Sequence, residues 1–328
     1  MKAFVTGGSG FLGGALIRAL KRRGDRVVAL ARSETAAQRL AQLGADEITW
    51  SDLSRPEALR KGMDGCDCVF HAAGLVAQWG HPEDFSRVHV TGTRNAVDAA
   101  RAAGVARFVH VSTEQVLSGR RPLVNVDETS APTGGTRTLY GESKARGEEL
   151  VLAENDQALC TVVVRPRLIW GPGDTSVLPH IIAAIRHGRF AWVGGGRYLT
   201  STCYVDNAVE ALLLAANKGR GGEAYFVTDG PPVVFREFVS ELLQAHGVKP
   251  PRLAVPSWLP PLLAAGGQWL WTWLPLRGEP PVTFVAFYAL GREVTVNDQK
   301  ARRELGYRGS VSIAEGLSRV QAAARGSA

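Results

Sequence analysis

Residues 2–14 read "KAFVTGGSGFLGG": a short apolar run, then Gly7, Gly10 and Gly13 at three-residue spacing, then the start of an apolar helix pattern. Gly7 lets the chain turn sharply out of a strand. Gly10 lets the backbone approach a pyrophosphate at the helix N-terminus, where free N–H groups and the helix dipole favour negative charge. Gly13 lets the helix pack closely on the sheet. A strand, a glycine turn and a helix in this order begin a βαβ unit, which commits the chain to a parallel sheet with right-handed crossovers.

The rest of the first half supports that commitment. Apolar runs "RVVALA", "DEITW", "DCVFHAAG", "RFVHVS" and "CTVVVRP" alternate with amphipathic helix patterns such as 11–23, 34–43 and 83–103. Strands that are apolar throughout are covered on both faces. The expected fold is α/β: a Rossmann-type doubly wound parallel sheet, with a ligand crevice at the carboxyl ends of its strands. After residue 166 Gly and Pro become frequent, and helices interleave with short strands. The expected organisation is a dinucleotide-binding domain over 1–166, to which 200–228 returns. A smaller, interleaved C-terminal substrate-binding domain covers 167–199 and 229–328.

The second strand pattern ends "VVALARSE". An Asp or Glu at this point, about 20 residues after the glycines, would hold a ribose 2′-hydroxyl. Here Ala31 is followed by Arg32 and Ser33. No carboxylate repels a 2′-phosphate, and a guanidinium is available to bind it. The residues favour NADP(H), with NAD(H) the alternative.

Composition excludes several function classes. The chain has 328 residues, 45% hydrophobic and 21% charged, which is ordinary for a soluble globular protein. Its net charge is +7. The basic residues are scattered and carry no interleaved aromatics, so no nucleic-acid partner is expected; an anionic small ligand or an anionic membrane surface explains the excess. Cys66, Cys68, Cys160 and Cys203 lack metal-ligand spacing. They are expected to be reduced in a cytoplasmic protein, and no metal is expected. The first strand pattern begins at residue 2, so no leader is expected.

One segment is unusual. No residue between Arg252 and Arg277 is charged, and Trp258, Trp269, Trp271 and Trp273 lie there. Prolines 256, 260 and 261 and the pair Gly266-Gly267 argue against one straight spanning helix. The first expectation for 256–276 is a wall of an apolar substrate pocket. The second is a helix that touches a membrane interface, where indoles are favoured.

"TLYGESKAR" places Tyr140 one helical turn before Lys144. A cation there can lower a phenol's pKa and prepare it for proton transfer. With this pair the ordered motifs resemble the extended short-chain dehydrogenase/reductase family: "TGGSGFLG", Asp52-Leu53, "HAAG" at 71–74, "VHVTGT", "HVST", "YGESK", "RP" at 165–166 and "YVDNA". The C-terminal half, with "RPRLIWGPGD" and "LRGEPPVT", is most similar to the 3β-hydroxysteroid and sterol dehydrogenase branch. That branch includes bacterial 2-alkyl-3-oxoalkanoate reductases. The resemblance implies that Gly7, Gly10, Phe11, Leu12 and Gly13 cradle the cofactor. It also implies that Asp52 and Leu53 hold its adenine, that Ala72, Ala73, Gly74 and Pro166 line its path, and that Lys144 touches its ribose. His89 stands where that family has an Asn. A homodimer built on helices near 83–103 and 140–155 is a further implication.

The implied catalytic set is Thr113, Tyr140 and Lys144, with Ser112 a less favoured alternative to Thr113. Sugar-nucleotide dehydratases of the family carry Thr-Asp-Glu where this chain has Thr113, Glu114 and Gln115; a Gln cannot exchange a proton at neutral pH. Glu114 remains a candidate substrate contact. Sugar-nucleotide enzymes also tend to place an Arg-Asp pair where this chain has Leu199-Thr200. Trp79, Trp170, Trp192 and Leu199 are expected around an apolar pocket. The expected activity is interconversion of a secondary alcohol and a ketone on a sterol-like or long-chain 2-alkyl-3-keto molecule. The alternatives are a sugar-nucleotide epimerase or dehydratase, and an inactive cofactor-binding protein.

Overall fold

A computed structural model of the chain describes residues 1–134, 138–274, 276, 278 and 280–326. Pro275 of the 256–276 segment, and Arg277 and Glu279 of "LRGEPPVT", therefore lie outside the described residues. The first half contains β1 (Lys2–Thr6), α1 (Phe11–Arg22), β2 (Arg26–Ala31), α2 (Glu34–Gln42), β3 (Glu47–Trp50), α3 (Pro56–Met63) and β4 (Cys68–His71). It continues with α4 (Pro82–Ser86), α5 (Gly92–Ala102), β5 (Arg107–Val111), β6 (Leu123–Val126), α6 (Leu139–Ala153) and β7 (Cys160–Pro166). Then come β8 (Ile169–Trp170), α7 (Leu178–Arg186), β9 (Trp192–Val193), β10 (Leu199–Thr200), β11 (Cys203–Tyr204), α8 (Val205–Lys218) and β12 (Glu223–Val227). The last elements are β13 (Val233–Val234), α9 (Phe235–Ala245), β14 (Ala254–Val255), α10 (Leu259–Trp273), α11 (Phe284–Leu290), β15 (Val294–Val296), α12 (Gln299–Leu305) and α13 (Ile313–Gly326).

Seven strands form one parallel sheet in the order β12-β7-β5-β4-β1-β2-β3. The six apolar runs read from the sequence are six of these strands. The order reverses between β1 and β4, so the crevice of a doubly wound sheet opens beyond their carboxyl ends. Both faces are covered, because the strands are apolar on both sides. Leu16, Ile17 and Leu20 of α1 pack on one face with Ala208 and Leu212 of α8. Leu59 and Met63 of α3, with Ala96 and Val97 of α5, pack on the other. The smaller layer holds a four-stranded sheet, β13-β10-β15-β6, and two strand pairs.

The helix expected over 83–103 is interrupted. Residues Arg87–Thr91 form a π-helical turn between α4 and α5. α6 lies against this turn: a Cβ on Gly147 would fall 2.2 Å from the carbonyl oxygen of His89. Glycine at 147 therefore permits the approach, and π-turns of this kind concentrate at functional sites.

Candidate active site

Gly7 takes a left-handed conformation (φ 70°), and a Cβ on it would lie 2.6 Å from the backbone of Ala72 beyond β4. A Cβ on Gly13 would lie 2.2 Å from the Gly7 oxygen. The two loops thus touch backbone to backbone at the switch point. Gly10 caps α1 with no side-chain hydrogen bond, which leaves the first N–H groups of the helix to a ligand. Phe11 and Leu12 follow as its first residues. These features fit a dinucleotide pyrophosphate.

Arg32 is exposed at the carboxyl end of β2 and has no ion pair among the described residues. Ser33 already uses its hydroxyl to cap α2, accepting from the Ala36 N–H at 3.3 Å. Asp52 accepts from the Ser54 N–H and hydroxyl, which hold its carboxyl below the usual range. Leu53 packs against α5, where its carbonyl accepts from Asn95. Ala72, Ala73 and Gly74 continue the crevice beyond β4, and Pro166 is buried at the end of β7.

A buried polar network underlies this cradle. Thr6 Oγ1 accepts from the Ala73 N–H and meets His71 Nδ1 at 2.9 Å; His71 Nε2 meets Thr93 Oγ1 at 3.2 Å. Burial, then the Lys144 charge, depresses His71 to about 3, so it is neutral. His71 was visible in "HAAG" only as part of a motif; its bracing role depends on Thr6 and Thr93, which are distant in sequence.

Tyr140 is the second residue of α6, a helix capped by Thr138, which accepts from the Gly141 N–H at 2.9 Å. His89 packs edge-on to its ring, with centroids 5.6 Å apart. The Leu75 N–H donates to His89 Nε2 at 2.9 Å, which leaves the ring proton on Nδ1. Nδ1 then donates to Ser143 Oγ at 2.8 Å, and the Ser143 hydroxyl donates to the Tyr140 carbonyl at 3.0 Å. His89 is therefore neutral, consistent with a pKa pushed down to about 3 by burial. It ties the loop beyond β4 to the helix that carries Tyr140.

Thr113 lies just beyond β5. Its hydroxyl donates to Glu114 at 2.8 Å, and Glu114 pairs with Arg167 at 3.2 Å, all three side chains being buried. Arg167 also donates to Thr200 Oγ1 and to the carbonyl of Ala289 in α11. The chain passes through φ 48° at Leu168 immediately afterwards, a sparsely populated conformation for such a side chain. The Ser112 hydroxyl is buried with no hydrogen-bond partner among the described residues.

Lys144 departs from expectation. Its ammonium donates to the Val111 carbonyl at the end of β5, at 2.6 Å, and burial lowers its pKa to about 8. The Tyr140 phenol is shifted upward, by burial first and by the Glu114 carboxylate second, while Thr113 opposes them. The sequence expectation of a phenol drawn toward neutrality by Lys144 is corrected: desolvation, then the like-sign Glu114, raise the phenol, and the Lys144 ammonium is held by the Val111 carbonyl.

Two expected pocket residues are also corrected. Trp170 is 1% exposed in the core, edge-on to Tyr204 and Phe238, and donates its indole N–H to Asp229. Trp192 is equally buried, against Phe190 and Phe235. Their sequence neighbourhood could not distinguish a pocket from a core. Trp79 is half-buried in the loop after β4, where its neighbour Gln78 accepts from Thr283, the N-cap of α11. Leu199 is exposed on β10. Trp258, Trp269 and Trp273 point outward and do not wall the site around Tyr140.

The profile of the 3-beta hydroxysteroid dehydrogenase/isomerase family matches residues 4–257. The chain belongs to that family. It is an NAD(P)-dependent oxidoreductase of the extended short-chain dehydrogenase/reductase type. The 4-hydroxy-2-methyl-3-oxo-4-farnesyl-3,4-dihydroquinoline-1-oxide ketoreductase of Stigmatella aurantiaca is 49% identical over 323 residues, covering 98% of this chain and 96% of that protein. A 2-alkyl-3-oxoalkanoate reductase of Stenotrophomonas maltophilia is 38% identical, covering 98% of this chain and 99% of that protein. Among solved structures, MoeE5 in complex with UDP-glucose and NAD is similar with a TM-score of 0.75 and 25% identity, covering 100% of this chain and 99% of that chain.

Proposed function

We propose that this family member is an NADP(H)-dependent ketoreductase. Its substrate would be a bulky apolar ketone whose neighbouring carbon carries a long hydrocarbon group. The observation that carries the reading is the convergence of Thr113, Tyr140 and Lys144 beyond β5, beside the glycine cradle of β1. The names of the two curated relatives support the substrate class: one places a farnesyl group on the carbon next to its oxo group, and the other an alkyl group.

A dinucleotide held over Gly7, Gly10 and Gly13 would supply the hydride chemistry. Tyr140 donates a proton to the ketone oxygen as charge builds there. The phenol is protonated at neutral pH, as a proton donor in the reductive direction must be, and its raised pKa makes release of that proton call for a nearby positive charge. Thr113 orients the oxygen. Its single proton now goes to Glu114, so the hydroxyl turns when a carbonyl arrives, while Arg167 keeps the carboxylate neutralised. Lys144, one turn along α6, supplies positive charge as the phenol loses its proton.

The similarity to a UDP-glucose complex raises a sugar-nucleotide reading. Leu199 and Thr200 offer no charge to a diphosphate, and the Gln115 amide cannot exchange a proton. Initial rates with a 2-alkyl-3-oxo acid, a prenylated cyclic ketone, a 3-ketosteroid and UDP-glucose decide between the readings. NADPH oxidation is expected with one or more of the first three; turnover of UDP-glucose alone would reject the proposal. In the same assay Arg32→Glu is expected to lower the preference for NADPH over NADH by roughly tenfold or more. An unchanged ratio would remove Arg32 from the cofactor site.

A further inference from the structure

α10 is inverted. The residues it turns into the protein are small: Pro260, Ala264 and Gly267, spaced i, i+4, i+7. A Cβ on Gly267 would lie 3.2 Å from Pro280, so this face packs closely. Its large apolar side chains point away. Trp258 is 63% exposed, Leu262 62%, Trp269 63% and Trp273 73%, with Leu263 and Leu274 beside them. Single exposed apolar residues need no explanation, but a contiguous patch with several tryptophans does.

We propose that this face docks on the surface of an anionic lipid bilayer. Three observations favour a bilayer over a second copy of the chain. No residue between Arg252 and Arg277 is charged, so the face offers nothing with which to set register against a protein. The tryptophans lie on the exposed side of the helix, the side on which an in-plane interfacial helix carries its indoles. Lys249 and Arg252, on the segment entering α10, are exposed without ion pairs among the described residues, in a chain of net charge +7. Basic groups beside an apolar face complement anionic headgroups. α10 is 15 residues long, and no described helix is long and apolar enough to cross a membrane. The geometry is that of a helix lying in the interface.

At the foot of this helix opens a cleft of about 400 Å³, bordered by Pro261, Phe284, Phe287, Tyr288, Arg120 and Arg292. α11 forms one wall, and its Ala289 carbonyl holds Arg167, the partner of Glu114 beside Thr113. Docking through α10 would place this cleft next to the lipid. Delivery of substrate through it rests on the apolar-ketone reading above; the docking itself does not.

The test is flotation of the full-length protein, without substrate, on vesicles of phosphatidylcholine containing roughly 30% phosphatidylglycerol. The wild type is expected to float. The Trp258→Ser/Trp269→Ser/Trp273→Ser variant is expected to bind at least roughly tenfold more weakly, with unchanged thermal stability and unchanged turnover of a short water-soluble ketone. Lys249→Glu/Arg252→Glu is expected to weaken binding and flatten its salt dependence. A wild type that stays unbound overturns the proposal. So does a triple variant that binds normally, or one that converts a wild-type dimer into monomers by sedimentation velocity, which would assign the face to a second copy. Because no substrate is present, failure here leaves the ketoreductase reading standing.

Discussion

Tyr140→Phe is expected to reduce kcat for NADPH-linked ketone reduction by roughly 10²–10⁴-fold, the range of a lost general acid. Tightness of NADPH binding, measured by fluorescence titration, should be nearly unchanged. The ring is held by more than its hydroxyl: His89 packs edge-on to it, and the His89–Ser143 relay holds its backbone carbonyl. Phenylalanine keeps both contacts and removes only the proton donor. Burial, then the Glu114 carboxylate, raise the phenol pKa above its ordinary value, and Tyr140 is protonated throughout the neutral range. Lys144 titrates first, near the value of about 8 that burial imposes on it. Below that pH the ammonium is charged; above it the charge that assists proton release is lost. The rate of reduction should therefore fall as pH rises through about 8. A Tyr140→Phe enzyme with undiminished turnover would remove Tyr140 from the chemistry and support a protein that binds cofactor without reacting.

Arg167→Met is expected to destabilise the protein by roughly 3–5 kcal/mol, because it strands the Glu114 carboxylate in a buried site. For a chain of this size that is a fall in Tm of about 10 °C. Adding Glu114→Gln should recover a large part of the loss, since an amide costs less to bury than an unpaired charge. Recovery will be incomplete: Arg167 also satisfies Thr200 and the Ala289 carbonyl, which methionine cannot do. Thermal unfolding of wild type, the two single variants and the double variant closes the cycle. A double variant no more stable than Arg167→Met would mean that the ion pair contributes nothing and that the backbone bond to Ala289 carries the effect. From sequence Glu114 was a candidate substrate contact. The structure adds a second reading, a buried charge that orients Thr113 and is neutralised by Arg167, just beyond the end of β7.

Much of this molecule was legible in advance, for a local reason. Six of the seven strands of the parallel sheet announce themselves in their own residues, because burial on both faces favours an apolar run, and even the edge strand β3 keeps a short one. The glycines announce themselves because a close backbone approach admits no Cβ, as the 2.6 Å and 2.2 Å distances at Gly7 and Gly13 show. Tyr140 and Lys144 share a face because one helical turn separates them. Family membership follows from the order of such local signals.

Tertiary structure decided what depends on partners far along the chain. The phenol shift came from desolvation and then Glu114, not from the lysine four residues away. Lys144 was claimed by Val111, 33 residues back. His89 found Leu75 on one side and Ser143 on the other, 54 residues on. Trp170 and Trp192 went to the core, while Trp258, Trp269 and Trp273 went to the surface. An indole's apolar area is the same in either place. Only the small face of α10 determined that its large side chains would be left outside.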